Sequence, residues 1–330
     1  MNTNIEINNV ESQNSLQENE ILPPCHISTE DRKKRLDIAL KYKEKNNFYG
    51  FYYLLKDYFF ILLFIYLFQN INFSTSLHYF LGYFVLAWFI GLFQFSLSEV
   101  ILHEASHFNL FKNHKLNEYS EIFVALPFFL TFKSYHDEHN NHHINLMKES
   151  DHLYKDYKFF GFINKDNKFD ANINIFVKIF LMPFLGIIGV YYFFNQSDLK
   201  NKKVIFFWVL MFGIFGYFNL LKELILFWVI PFIWSGLSYL YWSEFLDHFM
   251  VDNKFGRTRT FAMTFFTLEG PATYHKTHHE FPFVPLRNLK KLYKETEPND
   301  TSRCFGLIGL LIKIIKFRKT NNHQINDLAI

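Results

Sequence analysis

The chain has 330 residues, half of them apolar, with 44 Phe, 19 Tyr and a formal charge of only +3. Apolar runs this long exceed what a soluble core of this size carries, and the dispersed basic residues form no nucleic-acid footprint. The two cysteines, Cys25 and Cys304, stand far apart and outside any CxxC pattern, which excludes a disulfide framework and a thiolate metal site.

Residues 1–30 are polar, rich in Asn, Gln and Glu, and lack the apolar stretch of a signal peptide. They are expected to form a disordered tail, with Pro23-Pro24 near its end. Asp31 to Lys45 reads as an amphipathic helix carrying Leu36, Ile38, Ala39 and Leu40. Its basic residues (Arg32, Lys33, Lys34, Arg35, Lys41, Lys43 and Lys45) precede the first apolar run, so the positive-inside rule places the N-terminus in the cytoplasm.

The first span is predicted from Phe51 or Tyr58 to Phe68, followed by a short outer loop, Gln69 to His78, without Lys or Arg. The second, Tyr79 to Leu97, carries no charge, and its length of about 28 Å matches one hydrocarbon thickness. Ile122 to Phe132 is too short to cross and is interrupted by Pro127, so an interfacial or re-entrant position is expected. Three more apolar runs follow: Ile173–Phe194, Val204–Phe218 and Leu224–Trp242. In one assignment the last two cross as a hairpin, with Ile173–Phe194, broken by Lys178 and Pro183, in the interface. In the other, Ile173–Phe194 crosses and pairs with one bent helix made from the other two. Both give four spans and cytoplasmic termini. Phe305 to Ile315 has the spacing of an amphipathic helix that lies on the membrane or packs on the site. The expected fold is all-α: a polytopic membrane protein with four transmembrane helices, interfacial helices and a cytoplasmic histidine-rich metal-binding cap. Residues 31–320 are read as one domain and 321–330 as a C-terminal tail.

Nine of the fifteen histidines gather at the ends of apolar segments. They are His103 and His107, His139, His142 and His143, the isolated His248, and His275, His278 and His279. Neutral imidazole is a strong ligand for iron, zinc and copper, and nine exceed what one metal needs. On a helix His103 and His107, four apart, share a face and a metal. In the two HxxHH clusters the i and i+3 members are expected to share a face, with the adjacent histidine turned about 100° toward a second metal. His136 has i+3 spacing to His139, so it is a substitute for His139 or a supporting residue. His26, His78, His114, His152 and His323 read as incidental. In an oxygenase Glu104, Asp151 and Asp247 are expected to orient ligand imidazoles. His103-Glu104-x-x-His107 also fits a zinc protease pattern with Glu104 as general base, although that reading gives no reason for two HxxHH clusters.

The order HxxxH, HxxHH, lone His, HxxHH resembles the membrane fatty acid desaturase and hydroxylase superfamily. The surroundings agree: Phe108 to Asn113 after the first box, Ser134-Tyr135 before the second and Asp151 after it, Glu244-Phe-Leu-Asp-His248, and Pro282 to Pro285 with Leu289 after the third. The resemblance spans roughly Phe51 to Glu295. It implies a di-iron centre held by the nine histidines, O2 as co-substrate, and oxidation of a lipid acyl chain to a double bond or, in related branches, to an alcohol or ketone. The sequence shows no fused haem module, so a separate ferredoxin-like or cytochrome b5-like electron donor is implied. The membrane is a bacterial inner membrane or the endoplasmic reticulum.

Overall fold

In the computed structural model, which describes residues 28–164, 174, 176–249, 251, 258–260, 273–297, 309–312 and 314–315, every regular element is helical. Residues 1–27 and 321–330, the bulk of the two expected tails, lie outside the described residues, as do His26, His323, Cys25 and Cys304.

The charged leader folds as α1, Thr29–Ala39, with Ser28 accepting a hydrogen bond from the Asp31 amide. Asn46 caps α2, Asn47–Gln69, and Thr75 caps α3, Ser76–Ser106. At about 1.5 Å per residue α2 reaches about 34 Å, enough for one crossing. The sequence places its start later because Lys56 and Asp57 interrupt the apolar run. Asp57 is buried, however, between Lys56 at 3.0 Å and the Ser96 hydroxyl of α3 at 2.5 Å, so the ionic pair sits inside the helix hairpin. Below it the two helices interlock through stacked rings, Phe60 on Phe93 and Phe64 on Phe89.

α3 runs past the predicted Leu97. A wide π-type turn over Ser96–Ile101 carries it on to Ser106, so His103 lies within the continuing helix. The segment expected to be interfacial or re-entrant, Ile122 to Phe132, is mostly packed in protein, with Ile122 and Phe123 exposed. Phe128 is fully buried, and the Leu126 and Pro127 carbonyls accept the indole N–H groups of Trp208 and Trp228. The Leu126 carbonyl also takes the Phe129 amide that closes a short 3-10 turn, and the tryptophans supply the remaining donors away from water.

α5, Phe132–Asn145, carries the second histidine cluster, and α4, His114–Tyr119, precedes it. α6, His152–Phe159, leads to a bent pair: α7, Phe176–Phe184, and α8, Ile187–Gln196, related by 79°. Both ends of this pair return to Phe160. The Lys178 ammonium donates to its carbonyl, and the rings of Tyr191 and Tyr192 pack on its side chain. By length and composition the pair is one broken span or a re-entrant loop, and as a span it brings the number of crossings to four. α9, Lys202–Tyr217, then runs antiparallel to α10, Leu221–His248. Three helices, α2, α3 and α10, are long and apolar enough to cross a membrane. α9 has 16 residues and reaches about 24 Å, short of the roughly 30 Å core.

The last described elements close the histidine-bearing end: α11, His275–Glu280, and α12, Leu286–Thr296. Leu286, Leu289 and Leu292 of α12 pack with Phe281, Val284 and Ala39 of α1 in a small core of their own. The leader, with only Ala39 of its helix buried, is not amphipathic as expected, and it lies as a lid on the third histidine cluster. Of the expected Phe305–Ile315 helix, residues 309–312 and 314–315 are described and helical. Leu310 and Ile314 are buried in the main core, while Ile312 and Ile315 are exposed.

Candidate metal centre

All nine predicted histidines come together, from four helices. His103 and His107 lie at the end of α3, His139, His142 and His143 on α5, His248 at the last turn of α10, and His275, His278 and His279 on α11. They separate into two groups, each with its ligand atoms within 4.8 Å of one another: His103, His107, His139, His143 and His278, and then His142, His248, His275 and His279. The division corrects the expected pairing. In both HxxHH clusters it is the i and i+4 members that share a group, while the i+3 member goes to the other. Four residues advance a helix by about 400°, leaving a 40° offset, against 60° for three, so i and i+4 converge better.

Within each group neighbouring Nε2 atoms approach closely. His139 to His143 is 3.0 Å, His143 to His278 3.1 Å, His248 to His275 2.9 Å and His275 to His279 2.9 Å. Two nitrogens at right angles on one metal, each about 2.1 Å from it, lie about 3.0 Å apart. One Nε2 carries at most one proton, so His143 cannot satisfy both of its neighbours by donating. His107 Nε2 and both ring nitrogens of His103 are buried without a hydrogen-bond partner among the described residues. Burial first, and then the adjacent rings, hold His107, His139, His143, His275, His278 and His279 well below the ordinary imidazole value. They stand neutral, which is the form that binds metal.

A family model for fatty acid desaturases matches residues 74–306. The chain belongs to the fatty acid desaturase family. No curated protein sequence matches it. The match takes in every histidine of both groups, and the donor set fits the iron that this family uses. Structural zinc is satisfied by four ligands, whereas one group here offers five imidazoles.

Around the desaturase-type cluster, carboxylates fix the rings. Asp151 Oδ1 accepts from His142 Nδ1 at 3.0 Å, while its Oδ2 takes the Met147 amide. Burial alone would raise the Asp151 pKa, but His142 and His152 hold it well below the usual carboxylate range. Asp247 Oδ2 lies 3.8 Å from His275 Nδ1. Both aspartates were legible in the sequence from their adjacency to the clusters. Glu104 has a different place: its Oε2 accepts the Leu286 amide at 2.9 Å. It ties the first cluster to the start of α12, a geometry unlike that of a protease base. His136 is engaged elsewhere, with Nδ1 on the Ser106 carbonyl at 2.8 Å and Nε2 on Asn140 at 3.0 Å, and belongs to neither group.

His152, read as incidental from the sequence, is not. It donates from Nε2 to Glu244 Oε1 at 3.0 Å, and its Nδ1 lies 3.6 Å from Asp151. Burial works against its charge, but the hydrogen bond it donates to Glu244, with the charges of Glu244, Asp151 and Glu138, pushes its pKa up to about 10. Its signal was weak because it lies outside any HxxH spacing. The same holds for Arg35, on a helix nearly 250 residues before its partners. It grips Glu280, next to His279, by Nε at 2.6 Å and by Nη2, and also holds Glu297 and the Thr296 carbonyl. Arg259 is a third. Its guanidinium donates to the Leu246 and Phe249 carbonyls and so caps the helix end that presents His248.

Proposed function

We propose that the protein is a membrane-bound lipid desaturase with a di-iron centre. His103, His107, His139, His143 and His278 hold one iron, and His142, His248, His275 and His279 the other. The observation that carries this reading is the five-plus-four division of nine imidazoles within a chain of this family. When bound, the metal pair supplies O2 activation and removal of hydrogen from an unactivated C–H of an acyl chain, chemistry that no side chain offers.

The chain's own residues do the rest. Asp151 takes the Nδ1 proton of His142, which leaves Nε2 as the donor atom, and Asp247 stands toward His275 in the same sense. Glu104 and the Asn109 amide, which donates to the Pro282 carbonyl, lock the first cluster to the third, so that ligands distant in sequence stay in register. Arg35 and the α1 lid keep water from the third cluster. Electrons come from a separate ferredoxin-like or cytochrome b5-like donor. In this reading both termini and the histidine cap face the cytoplasm, as the basic leader favours.

Changing His278 to Ala removes one ligand of the five-membered group. The variant is expected to insert normally, to lose iron and to form no product. Metal analysis of the purified protein and mass-spectrometric lipid profiling of expressing cells provide the check. Wild-type protein carrying one zinc, or a fully active variant, would sink the proposal. An oxygenated product in place of an unsaturated one would make the protein a hydroxylase or ketolase on the same scaffold.

A further inference from the structure

His136 stands outside both histidine groups, yet it shares a face of α5 with His139 and His143. It precedes His143 by seven residues, which turn a helix by about 700°, within about 20° of two full turns. That face meets the end of α3. The His107 ring centre lies 4.9 Å from those of both His139 and His143, and the His103 ring centre 4.5 Å from that of His139.

The last turn of a helix leaves carbonyls without an amide partner inside the helix. The chain that follows α3 fills most of them. The His103 carbonyl takes the His107 amide and the Ser106 hydroxyl, Glu104 takes the Asn109 and Leu110 amides, and Ala105 takes the Phe108 amide. The Ser106 carbonyl instead takes His136 Nδ1, at 2.8 Å. A carbonyl only accepts, so Nδ1 carries a proton. Asn140 Nδ2 donates to Nε2 at 3.0 Å and uses the one lone pair of the neutral ring. His136 therefore has no atom left for a metal. Its ring lies nearly parallel to Phe132, with centres 6.0 Å apart, and meets Phe108 edge-on at 5.6 Å.

We infer that His136 is the positioning residue that sets the end of α3 against α5, and so shapes the five-imidazole group in particular. Four of that group's ligands, His103, His107, His139 and His143, come from these two helices, whereas the other group takes only His142 from α5 and none from α3. Among the described residues one other side chain joins the two helices by hydrogen bonds: the Tyr135 hydroxyl lies 3.2 Å from Glu99 Oε2. That contact precedes the first cluster along α3 and acts as a pivot. Without the His136 bond, the last turn of α3 swings about it and carries His103 and His107 away from His139 and His143. The inference rests on the two-metal reading proposed above for what the group holds.

The test uses the full-length protein, solubilised and loaded without oxygen with ferrous iron enriched in the Mössbauer isotope. The two sites are assigned in the spectra through His103→Ala, which removes a ligand of the five-imidazole group, and His248→Ala, which removes one of the other. Competition with a ferrous chelator gives the affinity of each. His136→Phe keeps a ring beside Phe108 and Phe132 and deletes the donor. It is expected to weaken iron in the five-imidazole group about tenfold or more and to leave the other site unchanged. His136→Asn places an amide N–H where Nδ1 stood and should recover most of the affinity. His136→Ala is a second deletion, for use if phenylalanine at this place prevents folding, and the same loss is expected of it. Equal weakening of both sites would make His136 an ordinary structural contact and overturn the inference. So would two irons held as in the wild type after a deletion, or a His136→Asn variant as weak as the deletions. Wild-type protein without two irons fails the desaturase proposal and this inference with it, while two-iron protein indifferent to His136 fails this one alone.

Discussion

Replacing Arg35 by Met keeps the length of the side chain and removes its charge. The guanidinium makes four hydrogen bonds, two to Glu280, one to Glu297 and one to the Thr296 carbonyl. The side chains are 14%, 6% and 13% exposed for Arg35, Glu280 and Glu297, so solvent screens the group little. Removing one partner of a buried pair costs about 3–5 kcal/mol, because the other charge is left behind. Lys276, 3.1 Å from Glu297, remains and compensates part of it. The expected loss is therefore about 2–4 kcal/mol. Since Glu280 directly follows His279, the variant should also hold its metal more weakly. The assay is denaturant unfolding of the detergent-solubilised protein, with metal retention followed in parallel. Adding Glu280→Gln should recover part of the loss, giving a coupling energy above about 1 kcal/mol in a double-mutant cycle. A loss below about 0.5 kcal/mol with unchanged metal retention would show Arg35 to be an ordinary surface pair and would refute the lid.

Asp151→Ala frees His142 Nδ1 and should weaken metal binding about 10–100-fold, measured by chelator competition. The Cβ added in Gly189→Ala would fall 1.7 Å from the Ile233 carbonyl oxygen, so α8 and α10 must separate. A loss of about 1–3 kcal/mol is expected, read from the same unfolding curves. Asp156 is pushed above its usual carboxylate range, first by burial and then by the charge of Glu244, although Tyr191 and Gln196 hydrogen-bond to it. A carboxylate raised in the folded state holds its proton where the unfolded chain has lost it, so this contribution falls as pH rises above about 4 toward the folded value. Asp156→Asn should flatten that part of the profile of unfolding midpoint against pH, and an unchanged slope would count against the shift.

The helical class and the membrane-crossing character of α2, α3 and α10 were readable because apolar runs of this length need no partner to declare themselves. The nine histidines were readable for a similar reason, since HxxxH and HxxHH place donors about one helical turn apart. The limits were set by packing. Asp57 makes the start of α2 look interrupted, yet it is paired inside the hairpin. Ile122 to Phe132 looks like an interfacial piece, yet Trp208 and Trp228 satisfy its carbonyls. The Ile173–Phe194 run reads as continuous, yet at Gly186, with a φ of 75°, the chain bends by 79°, a break that composition does not show. Composition along a single run carries no record of such contacts.

By itself the sequence determined the family and the donor set: nine histidines in helical spacing, in a chain of the fatty acid desaturase family. Local spacing is enough for that, because a helix converts i and i+4 into a common direction. Only the tertiary structure decided which histidines share a group, that Arg35 closes the third cluster, and that His136 ties the end of α3 to α5. Those relations join residues up to 262 positions apart. They exist only once the helices have packed and apolar burial has fixed which faces meet.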